Sequence, residues 1–245
     1  MAGGAGHIGA TAAETLAELG ATVAVCDVDE DGARATADRI GGRALPVDLR
    51  DEEAARAIVG DVVGELGGLD VLVHAAALVG TSTRPGWSVP FAEQSVEAWN
   101  EALRVNLTSA FVLVHAARNA LGESGHGSVV LFGSIYARVG PDPELYADTG
   151  VVNPVAYGVS KGGILQLMRY LAAELAPAVR VNAISPGGLE RGQPEEFRRR
   201  YEQRTPLGRM ATESDLKGAI AFLASDLSAY VTGHELVVDG GWTMR

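Results

Sequence analysis

The chain has 245 residues and a formal net charge of −11, which suits one well-buried domain over residues 1–245 rather than two independent cores. The acidic balance argues against a nucleic-acid partner, because proteins that bind the phosphate backbone carry basic surfaces. No stretch reaches the roughly 18 apolar residues of a membrane-spanning helix, and a single cysteine excludes an internal disulfide. The sequence therefore predicts a cytoplasmic protein without a membrane or nucleic-acid partner.

Short apolar runs alternate with longer helical patterns, which is typical of βαβ units. The predicted strands cover residues 21–26, 43–47, 70–74, 128–132, 179–184 and 235–238. The predicted helices cover residues 8–19, 52–66, 96–121, 156–175 and 212–224, with a short helix near residue 195. This alternation predicts the α/β class, with a doubly wound, mostly parallel (Rossmann) sheet between two helical layers.

A glycine-rich pattern, G-x-G-x-x-G, occupies residues 4–9 and runs directly into the first predicted helix. Free backbone N–H groups and the positive helix end favour binding of a pyrophosphate there. Asp27 ends the next strand, where a carboxylate accepts hydrogen bonds from ribose hydroxyls and repels a 2′-phosphate. Because no Lys or Arg follows before Arg34, the pattern predicts NAD rather than NADP. The alternative for Asp27 is an ordinary carboxylate at a strand end.

The strand that should precede such a glycine loop is missing from the sequence, since only two residues come before Gly3. A central strand would bury about five apolar side chains, each contributing roughly 1.5–3 kcal/mol. That sum is comparable with the ~5–15 kcal/mol net stability of a domain. We therefore expect a sheet that lacks its first strand, and a natural protein that starts several residues upstream of Met1.

Tyr157 and Lys161 stand at i and i+4, on one face of a predicted helix. A nearby ammonium stabilises tyrosinate, so we expect a lowered pKa for the Tyr157 phenol and a role in proton exchange with an alcohol or carbonyl. Ser134 follows a predicted strand, at the edge where open α/β sheets bind ligands. Asn106 lies inside a helical pattern although its amide disfavours helices. Each residue alone has a structural explanation, but the combination favours catalysis.

The ordered set of motifs resembles the short-chain dehydrogenase/reductase family, in its compact single-domain branch, over almost the whole chain. The motifs are the glycine loop, Asp27, Asp48, Asn106, Ser134, Tyr157 with Lys161, Ser185-Pro186-Gly187-Gly188 and residues 237–241. The resemblance implies hydride transfer between a nicotinamide cofactor and a substrate carbon.

The resemblance also implies residue roles. Tyr157 would be the general acid/base, Ser134 would hydrogen-bond the reacting oxygen, and Lys161 would also hold the nicotinamide ribose. Asn106 would support a proton relay through water. The implied cofactor-binding residues are Gly3, Gly6, His7, Ile8, Gly9, Asp27, Val28, Asp48, Leu49, Ala75, Ala76, Tyr157, Lys161, Pro186 and Gly187. No residue is predicted to bind a metal, because His115 and His126 have no partners at ligand spacing.

Two positions depart from the family pattern. His74-Ala75-Ala76-Ala77 replaces a segment whose side-chain amides brace the central sheet, so we expect that bracing to be lost. His7 replaces a glycine, and we favour a solvent-facing residue at the helix start over a ligand of phosphate.

Two segments of the sequence bear on the identity of the substrate. An insertion at residues 138–153 places more residues between Ser134 and Tyr157 than is usual in the family. Its polar and aromatic residues suit hydrogen bonds to a polyol or sugar. It resembles a subgroup that acts on sugars and sugar acids, although a subunit contact is an alternative. Farther on, residues 195–204 carry arginines that suggest an anionic substrate, but glutamates at i, i+4 favour a salt-paired surface. The same region is a candidate for a lid over the cofactor and substrate.

The leading hypothesis is an NAD-dependent oxidoreductase acting on a secondary alcohol or carbonyl of a sugar or sugar acid. A ketoacyl-thioester reductase is the second hypothesis, and a non-catalytic dinucleotide-binding sensor or scaffold is the third. The family resemblance also suggests a homotetramer or dimer, with helices 96–121 and 156–175 at the interface.

Overall fold

The computed structural model describes residues 1–80 and 82–244. The strands are β1 (Ala24–Asp27), β2 (Arg43–Pro46), β3 (Val71–His74), β4 (Gly127–Phe132), β5 (Val179–Pro186) and β6 (Glu235–Val238). The helices are α1 (His7–Glu18), α2 (Glu30–Ile40), α3 (Glu52–Leu66), α4 (Val96–Leu103), α5 (Ser109–Glu123), α6 (Pro143–Tyr146), α7 (Val155–Leu175), α8 (Glu195–Arg204) and α9 (Lys217–Ala224). A π-helical turn, Arg104–Thr108, joins α4 to α5.

The strands form one parallel arrangement in two parts, β2–β1 and β3–β4–β5–β6. Strand β4 lies inside the larger part, is buried along its whole length, and pairs with β5 from Gly127↔Val179 to Phe132↔Ile184. One apolar cluster includes residues of α3, α5 and α7, and a second includes residues of α1 and α9. The three-layer α/β/α Rossmann fold predicted from the sequence is confirmed.

Ala2 bridges the two parts of the sheet, pairing in parallel with Cys26 and with His74. Its N–H donates to the Val73 carbonyl at 2.9 Å, and its carbonyl accepts from Ala75 N at 2.9 Å. Beside this bridge lies a cavity of about 610 Å³ whose lining includes Met1, β1 and β3 residues. The first strand is thus reduced to a bridge at Ala2, in agreement with the expected gap.

Most elements appear within a few residues of their expected bounds, with four exceptions. One is the short helix α6 inside the insertion, which the sequence did not predict. Helix α2 was missed because few apolar residues mark it, although Asp29 caps it by accepting from Gly32 N. The helix predicted over 96–121 is interrupted by the π turn. The helix predicted from residue 212 begins with a 3-10 turn, Glu213–Leu216, before α9.

Within residues 1–80 and 82–244, no helix is both long and apolar enough to cross a membrane. Nor do they contain a group of three or more His, Cys, Asp or Glu side chains placed to hold a metal ion.

Candidate active site

Ser134, Tyr157 and Lys161 meet at the carboxyl end of β4. Ser134 follows this strand, is 5% exposed, and accepts a hydrogen bond from Tyr136 N at 3.2 Å. Tyr157 and Lys161 come from the first turns of α7, which packs against the 3-10 turn Ile135–Ala137. The Lys161 ammonium lies 5.8 Å from the centre of the Tyr157 ring. A buried cation, a phenol and a hydroxyl therefore share one edge of the sheet.

The protonation behaviour of Tyr157 differs from the sequence-based expectation. Burial raises the pKa of its phenol, while the Ser134 hydroxyl and the charge of Arg191 act in the opposite direction. Lys161 approaches the ring, and its Nζ donates to the Phe132 carbonyl at 2.8 Å. The expected lowering of the Tyr157 pKa is therefore wrong for this structure, because desolvation is the larger effect. Burial also lowers the pKa of Lys161 to about 8.

Asn106 lies in the π turn and is fully buried. Its Oδ1 accepts from Leu78 N at 2.7 Å, and its Nδ2 donates to Ser160 Oγ at 3.0 Å. Ser160 stands between Tyr157 and Lys161 in the sequence, and its hydroxyl donates to the Tyr157 carbonyl at 2.8 Å. The amide thus ties the loop after β3 to the helix turn that carries the phenol. This explains an Asn inside a helical pattern, since π turns occur frequently at functional sites.

His74 restores the bracing that we expected the chain to lose. It ends β3, is 1% exposed, and its Nε2 lies 2.7 Å from Ser109 Oγ. The Ser109 hydroxyl donates to the Val105 carbonyl at 2.6 Å, so His74 Nε2 is the donor to Ser109. Burial, and secondarily the charge of Lys161, lower the pKa of His74 to about 3. A neutral imidazole therefore connects the sheet to α5 and the π turn.

The glycine loop, residues 3–9, packs closely against backbone atoms, and we call it the glycine cradle. At Gly3, with φ of 80°, a Cβ would lie 2.4 Å from Ala76 N, and at Gly9 a Cβ would lie 1.8 Å from the Gly3 carbonyl oxygen. Gly6 caps α1 without a side-chain hydrogen bond. The structure thus brings the loop against the segment after β3. His7 is exposed at the first position of α1, in line with the solvent-facing interpretation.

Asp27 faces the loop from the end of β1. Its Oδ2 accepts from Ala5 N at 2.9 Å, and its Oδ1 accepts from Asp29 N at 3.1 Å. The pairing Asp27↔Pro46 places Asp48 at the same edge, where Arg50 binds its carboxylate at 2.7 Å. The hydrogen bonds from Arg50 lower the pKa of Asp48. Nearby positions at this edge include exposed Val28 and buried Leu49.

The insertion and α8 form one packed unit. Arg204 Nε contacts the Asp142 carboxylate at 2.6 Å, and Arg200 donates to the carbonyls of Glu144 and Ala147 at 2.9 and 2.6 Å. Leu145 is fully buried beside aromatic residues of α8. The insertion therefore fixes the position of α8 over the sheet edge.

Each arginine of α8 has an ion-pair partner. The pairs are Arg198 with Glu190, Arg199 and Arg200 with Glu196, and Arg204 with Asp142 and Glu144. The expected i, i+4 pair of Glu196 with Arg200 is present, whereas Arg199 pairs at i, i+3 with Glu196 rather than with Glu195. These contacts favour the salt-paired interpretation over an anionic substrate.

Pro186 is the last residue of β5 and Gly187 follows it at the same edge of the sheet. The Gly187 N–H donates to the Val238 carbonyl at 2.9 Å. Sequence analysis missed Tyr201 and Trp242, which stack here at 5.9 Å between ring centres. Nothing local marked them, because α8 and the C-terminal segment meet only in the folded chain. Tyr136 and Tyr146, whose hydroxyls are hydrogen-bonded, lie in the same cluster and belonged to segments already noted.

Comparison with known proteins agrees with this geometry. Residues 3–243 match the family described as enoyl-(acyl carrier protein) reductase. A cis-4-hydroxycyclohexanecarboxylate dehydrogenase of Sinomonas cyclohexanicum is 36% identical, with 99% of this chain and 95% of that protein covered. D-threitol dehydrogenase of Mycolicibacterium smegmatis is 32% identical, with 100% and 92% covered.

A solved structure extends the comparison to the fold. The short-chain dehydrogenase of Leptospira borgpetersenii, crystallised with bound NAD+, has a TM-score of 0.87 and 33% identity, with 99% of this chain and 91% of that chain covered. Its similarity and the full-length family match agree with the resemblance seen in the sequence motifs. The chain therefore belongs to the short-chain dehydrogenase/reductase family and is a nicotinamide-dependent oxidoreductase that acts on CH–OH groups.

Proposed function

We propose that this enzyme uses NAD to interconvert a secondary alcohol and a carbonyl of a sugar or sugar acid. The observation that carries the proposal is the convergence of Ser134, Tyr157 and Lys161 beside the glycine cradle. These residues offer a proton donor and acceptor, a hydroxyl and a cation at the edge where open α/β sheets bind ligands.

The residues of the cradle fit a dinucleotide. The Cβ positions at Gly3 and Gly9 are filled by backbone, so the loop keeps its close turn only with glycine. The start of α1 carries N–H groups without a side-chain cap, which suits a pyrophosphate. When bound, the nicotinamide group supplies the site where hydride is accepted or donated. The remaining proposed cofactor contacts lie at Val28, Asp48, Leu49, Ala75, Ala76, Pro186 and Gly187.

The catalytic role of each residue follows from its contacts. In alcohol oxidation, the substrate O–H bond breaks and Tyr157 takes the proton, while the C–H pair leaves as hydride and the C=O bond forms. Ser134 donates a hydrogen bond to the reacting oxygen and so supports the charge that develops there. Lys161 places a positive charge 5.8 Å from the centre of the Tyr157 ring, and its proposed role is to stabilise the anionic form against the burial that raises the pKa of the phenol. Asn106 holds the loop and helix turn that frame these groups, and a water relay is its proposed further role.

Asp27 supports NAD as the preferred cofactor. Its two oxygens accept one backbone hydrogen bond each, and a carboxylate has capacity for more. The Asp27 carboxylate can therefore also accept hydrogen bonds from ribose hydroxyls. A 2′-phosphate would meet a like charge instead, which raises the free energy of NADP binding.

Two alternatives have less support. A ketoacyl-thioester reductase is supported by the 31% identity with the 3-oxoacyl-[acyl-carrier-protein] reductase of Escherichia coli, but a net charge of −11 disfavours an acidic carrier protein as partner. A non-catalytic dinucleotide-binding sensor would not require a buried Lys161 beside Tyr157, since burying an ammonium costs free energy.

We also propose a homo-oligomer in the cytoplasm, as a dimer or tetramer. Phe111 on α5 and Val159 and Tyr170 on α7 are 44%, 47% and 66% exposed, and they give these helices an apolar outer face. A second copy of the chain is the partner that such a face suits. The free Cys26 thiol supports a reducing compartment. Light scattering of the purified protein tests the assembly.

A cofactor-reduction screen tests the proposed function. Purified enzyme is assayed with NAD+ and NADP+ in parallel on hexoses, alditols, aldonates and a 3-hydroxyacyl thioester. We expect turnover of a sugar-type alcohol with NAD+ preferred, and a loss of at least ~10²-fold in kcat for Tyr157→Phe, which lacks the exchangeable proton. Retention of most activity by Tyr157→Phe, or a strong preference for NADP+, would contradict the proposal.

A further inference from the structure

Three phenols and an indole form a surface beside Tyr157, which we call the aromatic wall. Its members are Tyr136, Tyr146, Tyr201 and Trp242. Tyr201 stacks on Trp242 with an interplanar angle of 21°. Phe197 connects Tyr146 to Tyr201, with ring centres 5.5 and 6.2 Å away. Residues from four separate segments are thus packed into one aromatic cluster, in which Tyr136, Tyr146 and Trp242 are partly exposed and Tyr201 is buried.

The aromatic wall extends along the catalytic edge. At one end, Tyr136 N donates to Ser134 Oγ, and a Cβ at Gly158, next to Tyr157, would lie 3.2 Å from the Tyr136 carbonyl oxygen. At the other end, Tyr201 Oη accepts from Gly188 N. A Cβ at Gly187 would lie 3.0 Å from the same oxygen. A substrate positioned for reaction at Tyr157 therefore has the wall as its neighbour.

The wall has unused hydrogen-bond donors. The hydroxyls of Tyr136 and Tyr146 bond to each other, and two hydroxyls in contact use only one of their two hydrogens. Among the residues that the structure describes, Trp242 Nε1 is buried without a hydrogen-bond partner. A buried donor without a partner is unfavourable, and an arriving oxygen atom recovers that free energy.

The phenols of the wall remain neutral donors near physiological pH. Burial raises the pKa of Tyr146 to about 12, and it raises the pKa of Tyr136 and Tyr201 as well. None of these three groups is therefore a base in the range where the enzyme works. The phenol hydrogens that are not used inside the cluster therefore stay in place throughout that range.

Three arginines near the wall are already paired with carboxylates. Arg200 and Arg204 contact Glu196 and Asp142, and Arg191 contacts Glu213 at 2.9 Å. An anionic group on the substrate would have to compete with these carboxylates. A neutral oxygen, in contrast, needs only the unused donors of the phenols and the indole.

We propose that the aromatic wall binds a neutral, polyhydroxylated six-membered ring, with Tyr146 and Trp242 as residues that determine specificity. The negative face of an aromatic ring attracts the C–H hydrogens of such a substrate, while its hydroxyl oxygens accept from the wall. A closed ring also loses fewer rotatable bonds on binding than an open-chain polyol. The inference rests on the proposed function and selects a neutral ring over the sugar acid.

Steady-state kinetics with saturating NAD+ test the inference. The probes are myo-inositol and galactose as hydroxylated rings, glucitol and gluconate as open chains, and cyclohexanol as a ring with a single hydroxyl. For the better hydroxylated ring, we expect a kcat/KM at least ~10-fold above that for either open chain. Tyr146→Phe and Trp242→Phe keep an aromatic ring and remove a donor, and each should raise KM about 5- to 30-fold with little change in kcat. Tyr230→Phe, at a fully exposed site, is the matched control.

The cyclohexanol arm separates a binding role from a structural one. If the donors act on substrate hydroxyls, the KM for cyclohexanol and for NAD+ stays unchanged in both variants. Equal losses for cyclohexanol and for the hydroxylated ring, or no loss for either, overturn the inference. Turnover of the open chains alone also overturns it and leaves the proposed function in place. Failure of the wild type to oxidise any alcohol overturns both.

Discussion

The two parts of the sheet differ in how they are held together. Strands β3 to β6 form an unbroken ladder whose central strand, β4, is wholly buried. Strands β1 and β2 pair with each other over four positions and reach the larger part through Ala2. Ser134, Tyr157 and Lys161 are placed by the continuous part, whereas Asp27 belongs to the smaller part. The proposed catalytic geometry and the proposed recognition of the cofactor therefore depend on different parts of the sheet.

This difference predicts that substitutions in the continuous part change kcat. Substitutions at the junction should instead change the free energy of unfolding and the affinity for the cofactor.

The largest effect is expected for Lys161→Met. Loss of the buried ammonium should lower kcat by at least ~10²-fold, because the anionic form of Tyr157 loses a cation that lies 5.8 Å from the centre of its ring. The Tm should stay within roughly 4 °C, since a costly buried charge is removed together with one hydrogen bond.

The pH dependence of unfolding provides a control for Lys161→Met. The Lys161 pKa is about 8 in the folded protein and 10.5 as the ordinary value, so the folded state disfavours the charged form. The wild type should gain stability relative to the variant as the pH rises from about 8 to 10.5. Urea denaturation at several pH values measures this gain, and a constant difference would contradict the assigned burial of the ammonium.

The second effect concerns the junction and is tested by Gly3→Ala. Its Cβ would meet backbone atoms of Ala75 and Ala76 within 2.8 Å, at a positive φ. We expect a loss of about 2–4 kcal/mol in the free energy of unfolding and a clear rise in the Kd for NAD+. The control is Gly20→Ala, which also has a positive φ but has no atom within 4 Å of the new Cβ.

Urea denaturation and a titration with NAD+ measure both glycine variants. Gly20→Ala should cost only about 1 kcal/mol and leave the Kd unchanged. Similar losses in the two variants would mean that backbone strain, rather than the contact with the segment after β3, accounts for the requirement at Gly3.

The smallest effect is expected at Asp27. Asp27→Asn keeps the shape and removes the charge, so the KM for NAD+ should rise about tenfold and the preference over NADP+ should shrink. Asp31→Asn removes the same charge from an exposed position at the start of α2 and should leave both values unchanged. An unchanged cofactor ratio in Asp27→Asn would place the selectivity for NAD elsewhere.

The sequence predicted those features that local pattern determines. Apolar runs located the strands, and the i, i+4 spacing placed Tyr157 and Lys161 on one helix. The glycine pattern located the cradle because its turn depends on neighbouring residues alone. Asp27 and Ser134 could be assigned to the sheet edge because strand ends follow from strand bounds.

Other features depend on contacts between distant segments and could not be predicted. The raised pKa of Tyr157 results from burial that only the folded chain creates. His74 braces the sheet through Ser109 because the π turn brings that hydroxyl to β3. Trp242 reaches Tyr201 through a C-terminal turn in which the Asp239 carboxylate accepts from Gly241 N and Thr243 N. No repeating pattern of residues in the sequence indicates contacts between such distant segments.

Cys26, the only cysteine of the chain, lies in β1 directly against the bridge. Its N–H donates to the Met1 carbonyl at 2.8 Å, the side chain is 5% exposed, and burial raises the pKa of the thiol. A thiol that is both buried and protonated reacts slowly with disulfide reagents. The rate of labelling at Cys26 therefore reports how often the two parts of the sheet separate, so the unmodified protein carries its own chemical probe of that opening.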